Sequence, residues 1–314
     1  GVDVVVGIGG GSVLDTTKAM AGLLRATTSV ADHLEGTPGQ RAYEGPALPW
    51  IAVPTTAGTG SEATRNAVFT APGPPPAKRS FRDERLVAAE AMVDPDLLVG
   101  LPPATVAANG ADALTQLVES FTSTRAGPVT DALALAGLRA AAPALPRLHA
   151  AVREGGDDPQ ARTAMAYAAL LSGICLAHTG LGVVHGLVAP LGAQSRVPHG
   201  TACGALLAAG VVANIRALEA GRGDPAALDR YATLGRELAS DHVAERSGAE
   251  ARAALVAWLG ALVAALEIPP LAAWGVNDAV VASVASEART SSSMRTNPVE
   301  LSEAELVEVL ARSR

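Results

Sequence analysis

The residues best suited to chemistry in this 314-residue chain lie in the stretch 180–205, GLGVVHGLVAPLGAQSRVPHGTACGA. His185 and His199 stand fourteen positions apart there (199 − 185), in a segment with no acidic residue and a single charge, Arg196. Burying an imidazole without a partner for each ring nitrogen costs free energy. A shared metal ion would supply that partner, and two unrelated core or loop histidines is the competing reading. Upstream, Asp112 and Gln116 are four apart, so one helical face carries both. Asp112 alone fits a helix N-cap as well as a ligand. Glu119 reads as a solvated or salt-bridged acid. His178 points into the same region only if its helix continues through Gly180 and Gly182, and is otherwise an ordinary helix-end histidine.

A second group of residues is suited to phosphate. The β-branched run Val2, Val4, Val5, Val6 and Ile8 reads as a buried parallel strand; Gly9-Gly10-Gly11-Ser12 follows, and Val13, Leu14, Thr17, Met20 and Ala21 mark a helix face. Strand, glycine turn and helix N-terminus together can hold a nucleotide pyrophosphate, although a tight turn also needs glycine for sterics alone. The spacing Gly9-Gly10-Gly11-Ser12-x-x-Asp15-x-x-Lys18 differs from the usual G-x-G-x-x-G fingerprint. A second apolar strand at 49–54 runs into Thr55-Thr56-Ala57-Gly58-Thr59-Gly60-Ser61-Glu62. These hydroxyls either meet phosphate or nicotinamide, or cap a turn.

The elements that must position these groups divide the chain in two. Residues 1–101 read as an α/β domain, with a proline-rich loop or hairpin tip at 71–77, a last strand at 91–96 and a boundary at Leu101-Pro102-Pro103. Residues 102–314 read as helical: one helix opening at Asn109-Gly110-Ala111-Asp112, and others over 130–142, 159–175, 225–239, 249–266, 276–285 and 302–312. Pro190 with Gly192 is expected to break the helix around His185, and Pro198 to restart one with His199 in its first turn. The chain begins in a strand already entering the glycine turn, so a preceding segment with the first βα units is expected.

A net charge of −7 without a basic run argues against nucleic acid or an anionic membrane as partner. Residues 163–195 carry no formal charge, but their strongly apolar part, 164–177, is too short to span a bilayer and reads as a buried helix. Cys175 and Cys203 read as reduced thiols of a cytoplasmic protein.

Four motifs in order, the glycine turn to Lys18, Pro54 to Glu62, Asp112-Ala113-Leu114-Thr115 and His185-x13-His199-Gly200, resemble the iron-containing (group III) alcohol dehydrogenase family, related to maleylacetate reductase and to the dehydroquinate synthase fold. The likeness extends to Ser293-Met294-Arg295-x-Asn297-Pro298. It implies an N-terminal dinucleotide-binding α/β domain, an all-α domain and a cleft between them. Gly9, Gly10, Gly11, Ser12 and Asp15 would hold the pyrophosphate of NAD or NADP, with Thr55, Thr56, Thr59 and Ser61 along the cofactor. Iron or zinc would be held by Asp112, His185 and His199.

Two departures bear on chemistry. Gln116 stands where the family carries a further ligand histidine, leaving glutamine a possible but weaker ligand. Ala189 stands where many relatives have a histidine suited to proton exchange, so the proton must come from water at the metal, a ribose hydroxyl or the substrate. The resulting expectation is a homodimeric, metal-assisted NAD(P)-dependent dehydrogenase of a small alcohol, aldehyde or ketone. The alternatives are a metal-independent keto-acid reductase like maleylacetate reductase, with Arg65 on the substrate carboxylate, and a nucleotide-binding protein without catalysis.

Overall fold

Strand β1 (Val5–Gly9) pairs in parallel with β2 (Trp50–Pro54), Val5 opposite Trp50 and Gly9 opposite Pro54. The structure, a computed structural model, describes residues 1–71, 77–239 and 247–314. A two-residue strand β5 (Glu90–Ala91) pairs with the other edge of β2, giving the order β1-β2-β5. The strand expected over 91–96 is cut short because Asp94 accepts the Asp96 amide and starts a single turn at Pro95. Helix α1 (Gly11–Leu23) packs on both β1 and β2, while Val4, Val6 and Ile8 stay exposed.

Two further strands, β3 (Asn66–Ala71) and β4 (Ala77–Arg82), form an antiparallel hairpin. The hairpin tip expected at 71–77 falls mostly on 72–76, outside the described residues. One fully buried cation joins the hairpin to α1 and to the turn after β2. The Lys18 ammonium donates to the Ser61 carbonyl and hydroxyl, the Thr64 hydroxyl and the Asn66 carbonyl, at 2.8–3.1 Å. Burial pushes its pKa down to about 8, against the pull of Asp15 and Glu62.

Beyond this α/β region the chain is helical: α2 (Pro103–Thr122), α3 (Pro128–Arg153), α4 (Pro159–Thr179), α5 (Val183–Gln194), α6 (His199–Glu219), α7 (Ala226–Leu238), α8 (Gly248–Ala265), α9 (Asp278–Ala288) and α10 (Glu303–Arg312). Helix α2 is the axis of the bundle, packed against α3, α4 and α6 and buried from Gly110 to Thr122. Capping is local: Asp158 accepts the Ala161 amide at α4, and capping boxes start α8 (Ser247, Glu250) and α10 (Ser302, Glu305).

Several expected boundaries move. Helix α2 begins at Pro103, so Asp112 lies mid-helix and cannot be its N-cap. Helix α3 passes Pro143 and Pro146 to Arg153, and α5 passes Pro190 to Gln194. Each proline forfeits one backbone donor, which packing in the bundle offsets. Helices α4 and α5 meet at 99°, so residues 163–195 form a bent, core-packed pair. By length and composition α6 and α8 could each cross a membrane; α6 is mostly buried in the bundle, whereas 22% of the α8 window is buried, with Ala251, Leu255, Leu259 and Leu262 in the core.

The two regions meet backbone to backbone at Gly60 and Gly173. Gly60 has φ +60°, and a Cβ there would lie 2.4 Å from the Gly173 Cα. Gly60→Ala is therefore expected to destabilise the protein by at least about 2 kcal/mol, read from the denaturant midpoint, because it adds left-handed strain to a backbone clash.

Candidate metal centre

Three side chains of α2 share one face at intervals of four and three residues: Asp112, Gln116 and Glu119, all buried. Helix α6 reaches that face because Gly200 lies directly on α2, where a Cβ would sit 2.0 Å from the Ala108 carbonyl oxygen. This close approach brings the first turn of α6, with His199 and Cys203 one turn apart, beside Asp112. Helix α5 supplies His185.

The ligand-type atoms of Asp112, His185, His199 and Cys203 all lie within 4.8 Å of one another. From Asp112 Oδ1 it is 3.2 Å to His185 Nε2, 3.6 Å to His199 Nε2 and 3.6 Å to Cys203 Sγ, and Sγ is 3.7 Å from His185 Nε2. Carboxylate, two imidazoles and a thiol on one point is a donor set suited to a divalent ion such as zinc or iron.

Glu119 organises the approach of α5. Its Oε2 lies 2.7 Å from His185 Nδ1, and its Oε1 accepts the Val184 amide at 2.6 Å, while Asn297 Oδ1 accepts the Val183 amide. With Nδ1–H donated to Glu119, Nε2 is the ring nitrogen that His185 turns to Asp112, the carboxylate–histidine arrangement that orients a ligand ring. Gln116 completes the surroundings without joining the cluster. Its amide nitrogen donates to Asp112 Oδ1 at 3.0 Å, and its oxygen accepts the Ser172 hydroxyl at 2.8 Å.

Electrostatics follow this packing. Burial alone would raise the Asp112 carboxyl, but His199 and His185 beside it, with the Gln116 amide, pull it down to about 2. Burial disfavours a charged His185 ring, yet Cys203, Asp112 and Glu119 outweigh it and hold the ring well above the ordinary imidazole range. Desolvation holds His199 below that range, against the pull of Asp112 and with help from His185 and Lys78, although 37% of its side chain is accessible. Burial first, and Asp112 and Glu119 after it, push the Cys203 thiol up to about 12. His178 stands apart: α4 stops at Thr179, Gly180 turns the chain with φ +68°, and the ring is exposed with no hydrogen bond to the cluster.

The glycine and threonine turns form one ridge at the C-terminal ends of β1 and β2. Gly10 caps α1 without a side chain, and the Gly11 and Ser12 amides have no partner within the helix, which suits an anion. Thr56 and Thr59 lie over Gly10 and Gly11, so close that a Cβ on Gly11 would be 2.6 Å from Thr59 Cγ2. The steric and the phosphate readings of these glycines therefore both apply. The Thr55 amide donates to the Gly9 carbonyl. Asp15 and Ser61 brace the two turns: the Ser61 hydroxyl donates to Asp15 Oδ1 at 2.6 Å and the Val68 amide to Oδ2 at 3.0 Å. Arg65 is ion-paired with Glu84. Gly58 rests on Asn109, one helical turn before Asp112 on α2, so the ridge ends roughly 5 Å along the helix from the cluster.

Such a combination, a phosphate-accepting turn on a parallel sheet facing metal-ligating helices, defines a class of nucleotide- and metal-dependent proteins. The chain belongs to the iron-containing alcohol dehydrogenase family: residues 1–95 match Iron-containing alcohol dehydrogenase, and residues 106–314 match the C-terminal part of the Fe-containing alcohol dehydrogenase family. It is 42% identical over 205 residues to Long-chain-alcohol dehydrogenase 1 of Geobacillus thermodenitrificans, a match covering 65% of this chain and 50% of that protein. A crystal structure of 1,3-propanediol oxidoreductase superposes with TM-score 0.88 at 30% identity, over 99% of this chain and 77% of that one. Sulfoacetaldehyde reductase from Bifidobacterium kashiwanohense in complex with NAD+ superposes with TM-score 0.78 at 25% identity, over 98% and 75%. The chain spans about half the length of the curated relatives it matches.

Cys203 and the role of Glu119 escaped the sequence reading, although each is at helical spacing from a residue it singled out, His199 and Asp112. Glu119→Gln is expected to keep the Val184 contact but set an amide N–H against His185 Nδ1–H. Zinc affinity, measured by chelator competition, should fall about 10- to 100-fold with the melting transition retained.

Proposed function

We propose that this chain carries the cofactor and metal sites of an NAD(P)-dependent oxidoreductase that interconverts a small alcohol and its aldehyde or ketone, acting in the cytoplasm as a homodimer. One observation carries the reading: a carboxylate, two imidazoles and a thiol meet within 4.8 Å, one helical turn along α2 from where the threonine turn rests on Asn109. The cleft lies between an α/β domain, 1–101, and a helical domain, 102–314.

In this reading the Gly11 and Ser12 amides bind the cofactor pyrophosphate, and the turn through Thr55, Thr56 and Thr59 directs the nicotinamide towards α2. Asp112, His185 and His199 hold a divalent ion, which when bound supplies Lewis acidity at the substrate oxygen and so favours hydride transfer at the adjacent carbon. Glu119 keeps His185 in the ligating tautomer. Ala189 offers no proton, so the proton passes through a cofactor ribose hydroxyl or solvent.

The reading predicts that the purified protein oxidises NADH or NADPH with a panel of small aldehydes. Chelation should abolish the rate, and iron or zinc should restore it. His185→Ala should lower kcat/KM by at least about 100-fold, since it removes a ligand rather than a ligand's neighbour. Full activity on a keto acid after complete metal removal would overturn the metal-assisted mechanism in favour of a maleylacetate reductase-like one.

A further inference from the structure

Gln116 stands where the family resemblance leads one to expect an imidazole, and its amide is fully engaged, nitrogen to Asp112 and oxygen from Ser172. Reversing the amide would set its oxygen against the Asp112 carboxylate, so the network fixes the orientation. Helix α2 therefore contributes one ligand, not two.

Helix α6 makes up the difference. Cys203 is one turn after His199, fully buried, and its sulfur closes the cluster. A tetrahedral ion with bonds of about 2.0–2.1 Å to nitrogen and oxygen and about 2.3 Å to sulfur has ligand-to-ligand edges of roughly 3.3 Å between nitrogen and oxygen and roughly 3.5 Å to sulfur. The corresponding distances are 3.2 and 3.6 Å from the Asp112 oxygen to the two imidazoles, and 3.6 and 3.7 Å from sulfur to Asp112 and His185. Four of the six edges between these side chains from three helices thus stand near the values a single ion requires, and the other two lie within 4.8 Å. A cysteine placed only to fill the core has no reason to match them. Cys175 is the contrast: it is also buried, but on α4 with its sulfur against the Thr130 carbonyl.

We propose that Cys203 is the fourth protein ligand of this centre, binding as thiolate in place of the imidazole that Gln116 cannot supply, and that it shifts the site from iron towards zinc. The thiol proton leaves to solvent as the ion enters. A thiolate favours the softer, tetrahedral ion, so Gln116 on α2 and Cys203 on α6 together redefine the metal. The inference rests on the metal centre proposed above.

Cobalt(II) titrated into the chelator-stripped protein tests it without any assay of turnover. The wild type and Cys175→Ser should each bind one equivalent and show a near-ultraviolet sulfur-to-cobalt charge-transfer band. Cys203→Ser should lack that band and bind cobalt at least about tenfold more weakly. In anaerobic competition, the preference of wild type for zinc over ferrous iron should exceed that of Cys203→Ser by at least about tenfold, on the same scale. Cobalt bound to the wild type without the charge-transfer band, or the band persisting in Cys203→Ser, overturns the cysteine ligand and leaves the metal centre standing. Equal zinc preference in the two proteins overturns the shift in metal. No cobalt uptake by the wild type overturns both this inference and the metal-dependent function.

Discussion

An ionised carboxylate in the middle of an apolar helix is the constraint that the helical region is built to meet. Asp112 sits on α2 with 2% of its surface accessible, in a segment otherwise packed against three other helices. Leaving such a charge unpaired would cost several kcal/mol. Everything around it supplies positive character or a donor: His185 from α5, His199 and Cys203 from α6, and the Gln116 amide from its own helix. The angle of α5, the glycine contact that lets α6 approach, and the Asn297 side chain that receives the Val183 amide all serve this one demand. A divalent cation at that point would satisfy it more completely than any protein donor present.

The α/β region solves a related problem with the opposite sign. Lys18 is buried, and four oxygens from the turn after β2 and from β3 gather around it. Asp15 and Ser61, drawn into the same knot, hold the glycine turn against the threonine turn. The conspicuous polar spacing of the glycine motif thus serves two ends. Its backbone amides face outward, while its charged side chains act as internal bracing that keeps those amides in place.

Much of this was legible in the chain itself. Strand, glycine turn and helix were plain because β-branched runs and helical periodicity change over sharply at Gly9. The histidine pair was plain because imidazoles are conspicuous in uncharged surroundings. What sequence obscured was depth. Helices α3 and α5 run through their prolines, since burial in the bundle offsets a lost donor. Asp112 looked like a cap because Asn109-Gly110 resembles a helix start, whereas α2 begins six residues before Asn109, at Pro103. Glu119 passed for a solvated or salt-bridged acid and Cys203 for an ordinary reduced thiol, although both stand at helical intervals from residues already under suspicion. The bracing by Ser61 and Asp15 was hidden because spacing alone does not reveal which partner a polar side chain meets.

The seam at Gly60 and Gly173 has a mechanical meaning. Side chains that interdigitate across a boundary can slide and repack, but two bare backbones in contact leave nothing to slide. The turn after β2 is therefore held at a fixed separation from helix α4, and with it the α/β region from the helical bundle, as rigidly as the two backbones themselves.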